Sequence, residues 1–210
     1  MKKSFLFSLL LVLIASCVLT SCRWKTTKSA LKNGEVLKSS IESFEKNRSK
    51  LADRIVESLE EAESSLTSES PDLPKVSKDF EKEWTIIQNR YGKLKKDFED
   101  VGESSTAYFD KLNELSSNIS REELRKEELA KNDELRKRWE KTFKEAASNV
   151  EKVTTVLEEG NDFHMVLVAS SIRQKLEQNV VELRRIADQA KSLLSDLASF
   201  TEAGRELVEG

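Results

Sequence analysis

The chain is poor in the residues that punctuate a fold. Six glycines and two prolines among 210 residues leave few places for tight turns, which disfavours a sheet and favours long helices. Cysteine is confined to Cys17 and Cys22. If one is modified and the other removed, no intrachain disulfide can form and stability must come from packing. The single histidine, His164, cannot supply the two Glu-x-x-His motifs of a di-iron bundle. None of the serines lies in a strand–turn–helix elbow where that histidine would serve it as a base. The glycines are scattered, with no Gly-x-Gly or Gly-Lys-Ser, so there is no phosphate-cradling loop. Positive and negative side chains nearly balance, 35 against 38; without a concentrated basic surface, nucleic acid is not an expected partner. No catalytic residue, metal or cofactor is expected.

What is present begins at the amino end. Two lysines, Lys2 and Lys3, precede an apolar run from Phe5 to Leu19, shorter than the roughly 20 residues a spanning helix needs. The run closes on Leu19-Thr20-Ser21-Cys22, the small-residue cleavage pattern ending in cysteine that marks a bacterial lipoprotein signal. The expectation is that residues 1–21 are removed and Cys22 carries the lipid. Ile14-Ala15-Ser16-Cys17 is a second acceptable site, less favoured because the polar chain starts directly after Cys22. Loss of Lys2 and Lys3 takes the net charge from −3 to −5. Residues 22–30 then form a membrane-proximal tether. Within it Arg23, Trp24, Lys25 and Lys28 place an indole and cations at headgroup level, or else make a plain solvated linker. Arg23, rather than Asp, follows Cys22. In a host with two membranes that places the protein on the periplasmic side of the outer membrane.

Residues 31–208 read as an elongated antiparallel coiled-coil bundle of three to four long helices. Apolar residues recur three and four apart, the seam of a coiled coil. The first stripe is Leu37, Ile41, Phe44, Leu51, Ile55, Leu59, Ala62 and Leu66, with Arg48 the one polar intruder. Ser68 to Pro74 carries turn chemistry and both prolines. The second stripe runs Phe80, Trp84, Ile87, Tyr91, Leu94, Phe98, Val101, Ser105, Tyr108, Leu112, Leu115, with Gly92 and Gly102 off the seam. Ser120 and Glu123 read as a capping box. The third stripe is Leu135, Trp139, Phe143 or Thr142, Ala146, Val150, Val153, Leu157; the fourth is Ile172, Leu176, Val180, Leu183, Ala187, Ala190, Leu194, Leu197. Gly160-Asn161-Asp162 and Ser170-Ser171 both qualify as the boundary between the last two helices.

Most constellations have a packing explanation. Adjacent glutamates such as Glu60-Glu61, Glu122-Glu123 and Glu158-Glu159 point about 100° apart on a helix and describe a solvated face rather than an acid–base pair. The aromatic stripe falls on seam positions and reads as core. Phe163 to Ala169 is apolar on every side except His164, so Phe163, Met165, Val166 and Val168 form a candidate partner surface.

From Leu124 onward the chain resembles an uncharacterised family of bacterial coiled-coil lipoproteins. The residues that carry the likeness are Leu124-Arg125-Lys126, Glu134, Arg138-Trp139, Val156-Leu157, Asp162, Leu167, Gln174, Glu182-Leu183 and Ile186. The resemblance implies a helical envelope lipoprotein and supplies no functional residue. Taken together, the expectation is a structural or protein-interaction role without catalysis. The membrane is reached through lipid at Cys22, and the partner is an envelope protein or a second copy. The alternative is a ligand- or lipid-binding accessory bundle of an envelope transport system, in which Gly92, Gly102, Ala62, Ser105 and Ala146 leave room between helices.

Overall fold

A computed structural model of the chain describes residues 2–173 and 179–209, with side chains at 28, 29, 31–173 and 180–209. The protein is all-α, four long helices packed against one another as a bundle, with no strand among the described residues. They are α1 (Lys2–Leu66), α2 (Leu73–Ser117), α3 (Glu122–Arg173) and α4 (Asn179–Glu209). The proline-containing segment breaks the chain after α1 as its composition requires. Asp72 caps α2, its carboxylate accepting from the Lys75 amide at 3.2 Å. Pro74 sits in the first turn, where a missing N–H costs nothing.

Neither proposed boundary between the third and fourth helices is used. α3 continues through Gly160 and through Ser170-Ser171 to Arg173, and its seam keeps phase throughout. Gly160, Phe163, Leu167 and Ser170 follow Leu157 on the buried face. Ile172 therefore belongs to α3 and is 79 % exposed, a correction to the fourth stripe. Leu176 lies outside the described residues, Val180 is half-buried, and full burial on α4 begins at Leu183.

The chain forms two compact units, Met1–Leu37 with Glu103–Lys137, and Lys38–Gly102 with Arg138–Gly210. The second is an antiparallel four-helix assembly, as short connections dictate. Lys38 meets Glu209 at 2.7 Å and Arg184 Nε reaches Glu63 at 2.8 Å, so α1 and α4 run in opposite directions. Ser43 to Asp97 and Arg54 to Glu83 align α1 with α2; Arg185 to Glu159 joins α4 to α3. Every residue of the first stripe from Leu37 to Leu66 apart from Arg48 is buried.

One level of this unit takes a ring from each helix: Phe44, Phe98, Phe143 and Phe200. Phe98 stacks on Phe143 at 4.4 Å, Phe44 meets Phe200 edge-on at 5.4 Å, and Trp139 tilts against Phe200 at 5.3 Å. Offset and edge-to-face contacts of this kind are the favoured geometry for aromatic pairs.

The first unit is built on the hairpin of α2 and α3. Asn33 donates to the Ala107 carbonyl at 2.9 Å, holding α1 to α2. Buried Asn132 donates to Asn113 and Ser116 at 3.1 and 2.9 Å across the hairpin. Arg136 lies over the Phe109 ring at 5.5 Å and bonds Asp110 at 2.7 Å. Here the second stripe departs from expectation. Phe109 is buried at 2 %, whereas Tyr108, Leu112 and Leu115 are half-buried. A straight helix of 3.6 residues per turn drifts against a strict seven-residue repeat, and successive steps of four from Val101 to Ser105 to Phe109 follow that drift. On the outer face of α3 the i,i+4 ion pairs Glu122–Lys126 and Glu127–Lys131 close at 2.7 and 2.9 Å, each contributing a few tenths of a kcal/mol.

Candidate functional site

The proposed attachment residue Cys22, its alternative Cys17, and the side chains of Arg23, Trp24 and Lys25 lie outside the described side chains. Lys28, the last of the membrane-proximal group, is exposed. Among the described residues no helix is long and apolar enough to cross a membrane.

The candidate partner surface divides in two. Phe163 is buried at 2 %, edge-on to Phe80 with centroids 5.2 Å apart, and so belongs to the core, not to a surface. The physical reason is the uninterrupted seam: 163 and 167 are in phase with 157 and 160. Met165 and Val166 are exposed at 64 % and 39 %, and Val168 is half-buried. His164 is half-buried with its ring beside Phe80, centroids 6.4 Å apart. Among the described residues no group of three or more histidine, cysteine or carboxylate side chains is arranged to hold a metal ion.

Of the small residues that were candidates for voids, Gly102 is filled, Ala62 lines a cleft and Gly92 faces open space. Gly160 packs against the Trp84 indole: a Cβ there would stand 1.8 Å from Trp84 Cζ2. That indole is 2 % exposed, stacks on Phe80 with centroids 5.2 Å apart, and donates from Nε1 to the Leu157 carbonyl at 3.0 Å. Gly102 receives Phe143, with Cζ 2.9 Å from where a Cβ would be. Gly204, which no stripe had marked, receives Ile41 at 2.8 Å. Among the described glycines, exposed Gly92 alone has open space at its Cβ position.

A cleft of about 90 Å³ lies between α1 and α2, lined by Ser58, Ala62, Val76 and Phe80 with Glu61, Asp79 and Glu83 at its edges. Drug-sized ligands occupy roughly 300–1,000 Å³, so this cleft is sized for a few waters rather than for an acyl chain. Glu83 is paired with Arg54.

The polar intruder of the first stripe has its own explanation. Arg48 enters the core of the second unit at 13 % side-chain exposure. It bonds Glu45 at 2.6 and 2.7 Å and the Leu194 carbonyl at 2.8 Å. Glu45 also accepts from buried Thr201 at 2.9 Å. Burial alone would raise the Glu45 carboxyl. The hydrogen bonds from Arg48 and Thr201, with the charges of Arg48 and Arg205, outweigh it and hold the group below its ordinary value. This network joins α1 to α4. It is fully engaged internally and offers no open acid or base, which fits a role in register rather than chemistry.

No family model, curated protein or solved structure matches the chain.

Proposed function

We propose that the protein is a cell-envelope lipoprotein, anchored through lipid on Cys22, whose helical bundle serves as a structural or protein-interaction module and performs no catalysis. The observation that carries this reading is the sequence Leu19-Thr20-Ser21-Cys22 closing a short apolar run behind two lysines. In a host with two membranes, Arg23 after the lipidated residue places it on the periplasmic side of the outer membrane. Packing supports the module over a carrier of apolar ligands. Gly102, one of the residues that would have opened space, receives Phe143, Gly160 and Gly204 are met by Trp84 and Ile41, and the cleft beside α1 is too small for a lipid tail.

The test is metabolic labelling with an alkynyl fatty acid. Wild-type and Cys17→Ser protein should incorporate the label, and Cys22→Ser should lose it and retain the signal segment. Label retained by Cys22→Ser and lost by Cys17→Ser would move the anchor to Cys17. For the interaction role, photo-cross-linking in cells from Met165 and Val166 should capture a reproducible envelope protein. Capture of nothing but lipid would turn the reading toward the carrier.

A further inference from the structure

The register of the first unit says which part of the bundle meets the membrane. Asn33 of α1 bonds the Ala107 carbonyl at 2.9 Å, and Gly34 lies against the Tyr108 ring, its Cβ position 3.7 Å from Cε2. The two helices run antiparallel there, so moving toward the amino end of α1 means moving toward the carboxyl end of α2. From Asn33 back to Cys22 is 11 residues, and α1 is helical across them; at 1.5 Å per residue that covers about 17 Å. From Ala107 on to the α2–α3 turn at Asn118 is also 11 residues, again about 17 Å. The turn therefore lies level with the lipidated residue.

The turn is composed for that position. Its backbone is closed internally: the amides of Asn118 and Ile119 bond the Leu115 and Ser116 carbonyls at 3.1 Å each, and Arg125 donates to the Ile119 carbonyl at 3.2 Å. Ile119 is half-buried and Leu124 is 37 % exposed, so apolar surface is offered at the tip. Arg121 is exposed and has no ion-pair partner among the described residues, and the same holds for Lys28 and Lys32 on the facing stretch of α1. Glu122 is neutralised by Lys126 at 2.7 Å, leaving Glu123 as the exposed acid of the first turn. Free cations beside an apolar tip match the headgroup layer of an anionic bilayer.

We propose that the α2–α3 turn, Ile119 to Arg121 with Leu124, rests on the headgroups of an anionic membrane. It gives the bundle a second, non-covalent contact that sets its orientation on the lipid anchor. The inference relies on attachment at Cys22 and is separable from it by experiment. The full chain is produced in lipidated form and reconstituted into vesicles of phosphatidylglycerol and phosphatidylcholine. With Cys17 removed and Cys22 acylated, Ser117→Cys and Ala107→Cys each supply a single free thiol, exposed in both places, for a bimane label. Headgroup-nitroxide lipid serves as the quencher.

The expected result is at least twofold stronger quenching at 117 than at 107, the two positions being about 15 Å apart along α2. Arg121→Glu should reduce that difference in anionic vesicles. Equal or reversed quenching in protein that floats with the vesicles overturns the proposal and leaves the anchor intact. A difference that Arg121→Glu does not change removes the anionic-headgroup contact. Wild-type protein that takes the label at Cys22, or does not float, overturns the anchor and the orientation with it.

Discussion

Replacing Gly160 with alanine adds one methyl group to the middle of α3, where glycine is ordinarily a weakness; an exposed helix gains about 1 kcal/mol from that change. Here the sign reverses. The new Cβ would stand 1.8, 2.0 and 2.6 Å from three atoms of the Trp84 ring. Helix backbone does not yield easily, so the indole must move. It cannot move freely, because it is buried, stacked on Phe80 and tied to the Leu157 carbonyl. Overpacking of this kind costs about 1–3 kcal/mol. The displaced stack and the lost indole hydrogen bond add about 1 kcal/mol each. After subtracting the propensity gain, the net loss is about 2–4 kcal/mol.

Urea unfolding followed by circular dichroism reads this directly, with Gly92→Ala as the matched control at an open position; that variant should gain about 0.5–1 kcal/mol. A double-mutant cycle with Trp84→Leu completes the test. If the ring is the obstacle, the cost of Gly160→Ala shrinks once the ring is gone. Equal stabilisation by the two alanine variants, or a cost unchanged in the Trp84→Leu background, would refute the reasoning.

Two further outcomes follow from the second unit. Phe200→Ala removes the ring shared by Phe44, Phe98, Phe143 and Trp139 and should destabilise by about 3–5 kcal/mol, read as a lowered urea midpoint. A loss under 1 kcal/mol would show that the level is not close-packed. Glu45→Gln should be destabilised by about 1.5–3 kcal/mol at neutral pH, the range for hydrogen bonds to charged groups. Because the Glu45 carboxyl is held below its ordinary value, its contribution is present above about pH 4.3, the unfolded value. It is lost as pH falls through the lower folded value. The gap between wild type and Glu45→Gln should therefore close on acidification. A gap independent of pH would assign the loss to packing.

The fold was legible because burial on a long helix repeats locally. The residues from Leu37 to Leu66 name their own partners by spacing, and the two prolines mark the break between α1 and α2. What spacing could not show was where a large side chain of another helix enters. Gly160-Asn161-Asp162 has the composition of two caps, yet Gly160 is a seam position left empty for Trp84, whose stripe lies some 75 residues earlier. Carrying the seam phase past Leu157 would have found it, and would have turned Phe163 inward and Met165 outward. Phe109 was missed for a related reason, since drift of the straight helix is invisible when the seven-residue repeat is assumed. The proposed attachment motif, by contrast, consists of contiguous residues, so the case for it rests on the sequence itself.

The ring level in the second unit has a consequence for how the chain is made. Its four phenylalanines stand at positions 44, 98, 143 and 200, one on each helix in chain order. A nascent chain emerging amino end first holds three sides of that level and no fourth until residue 200 has appeared. A chain stopped short of residue 200 would leave Phe44, Phe98, Phe143 and Trp139 facing a gap. The level thus closes late: rings from three helices can meet around it, but only the ring of α4 seals it.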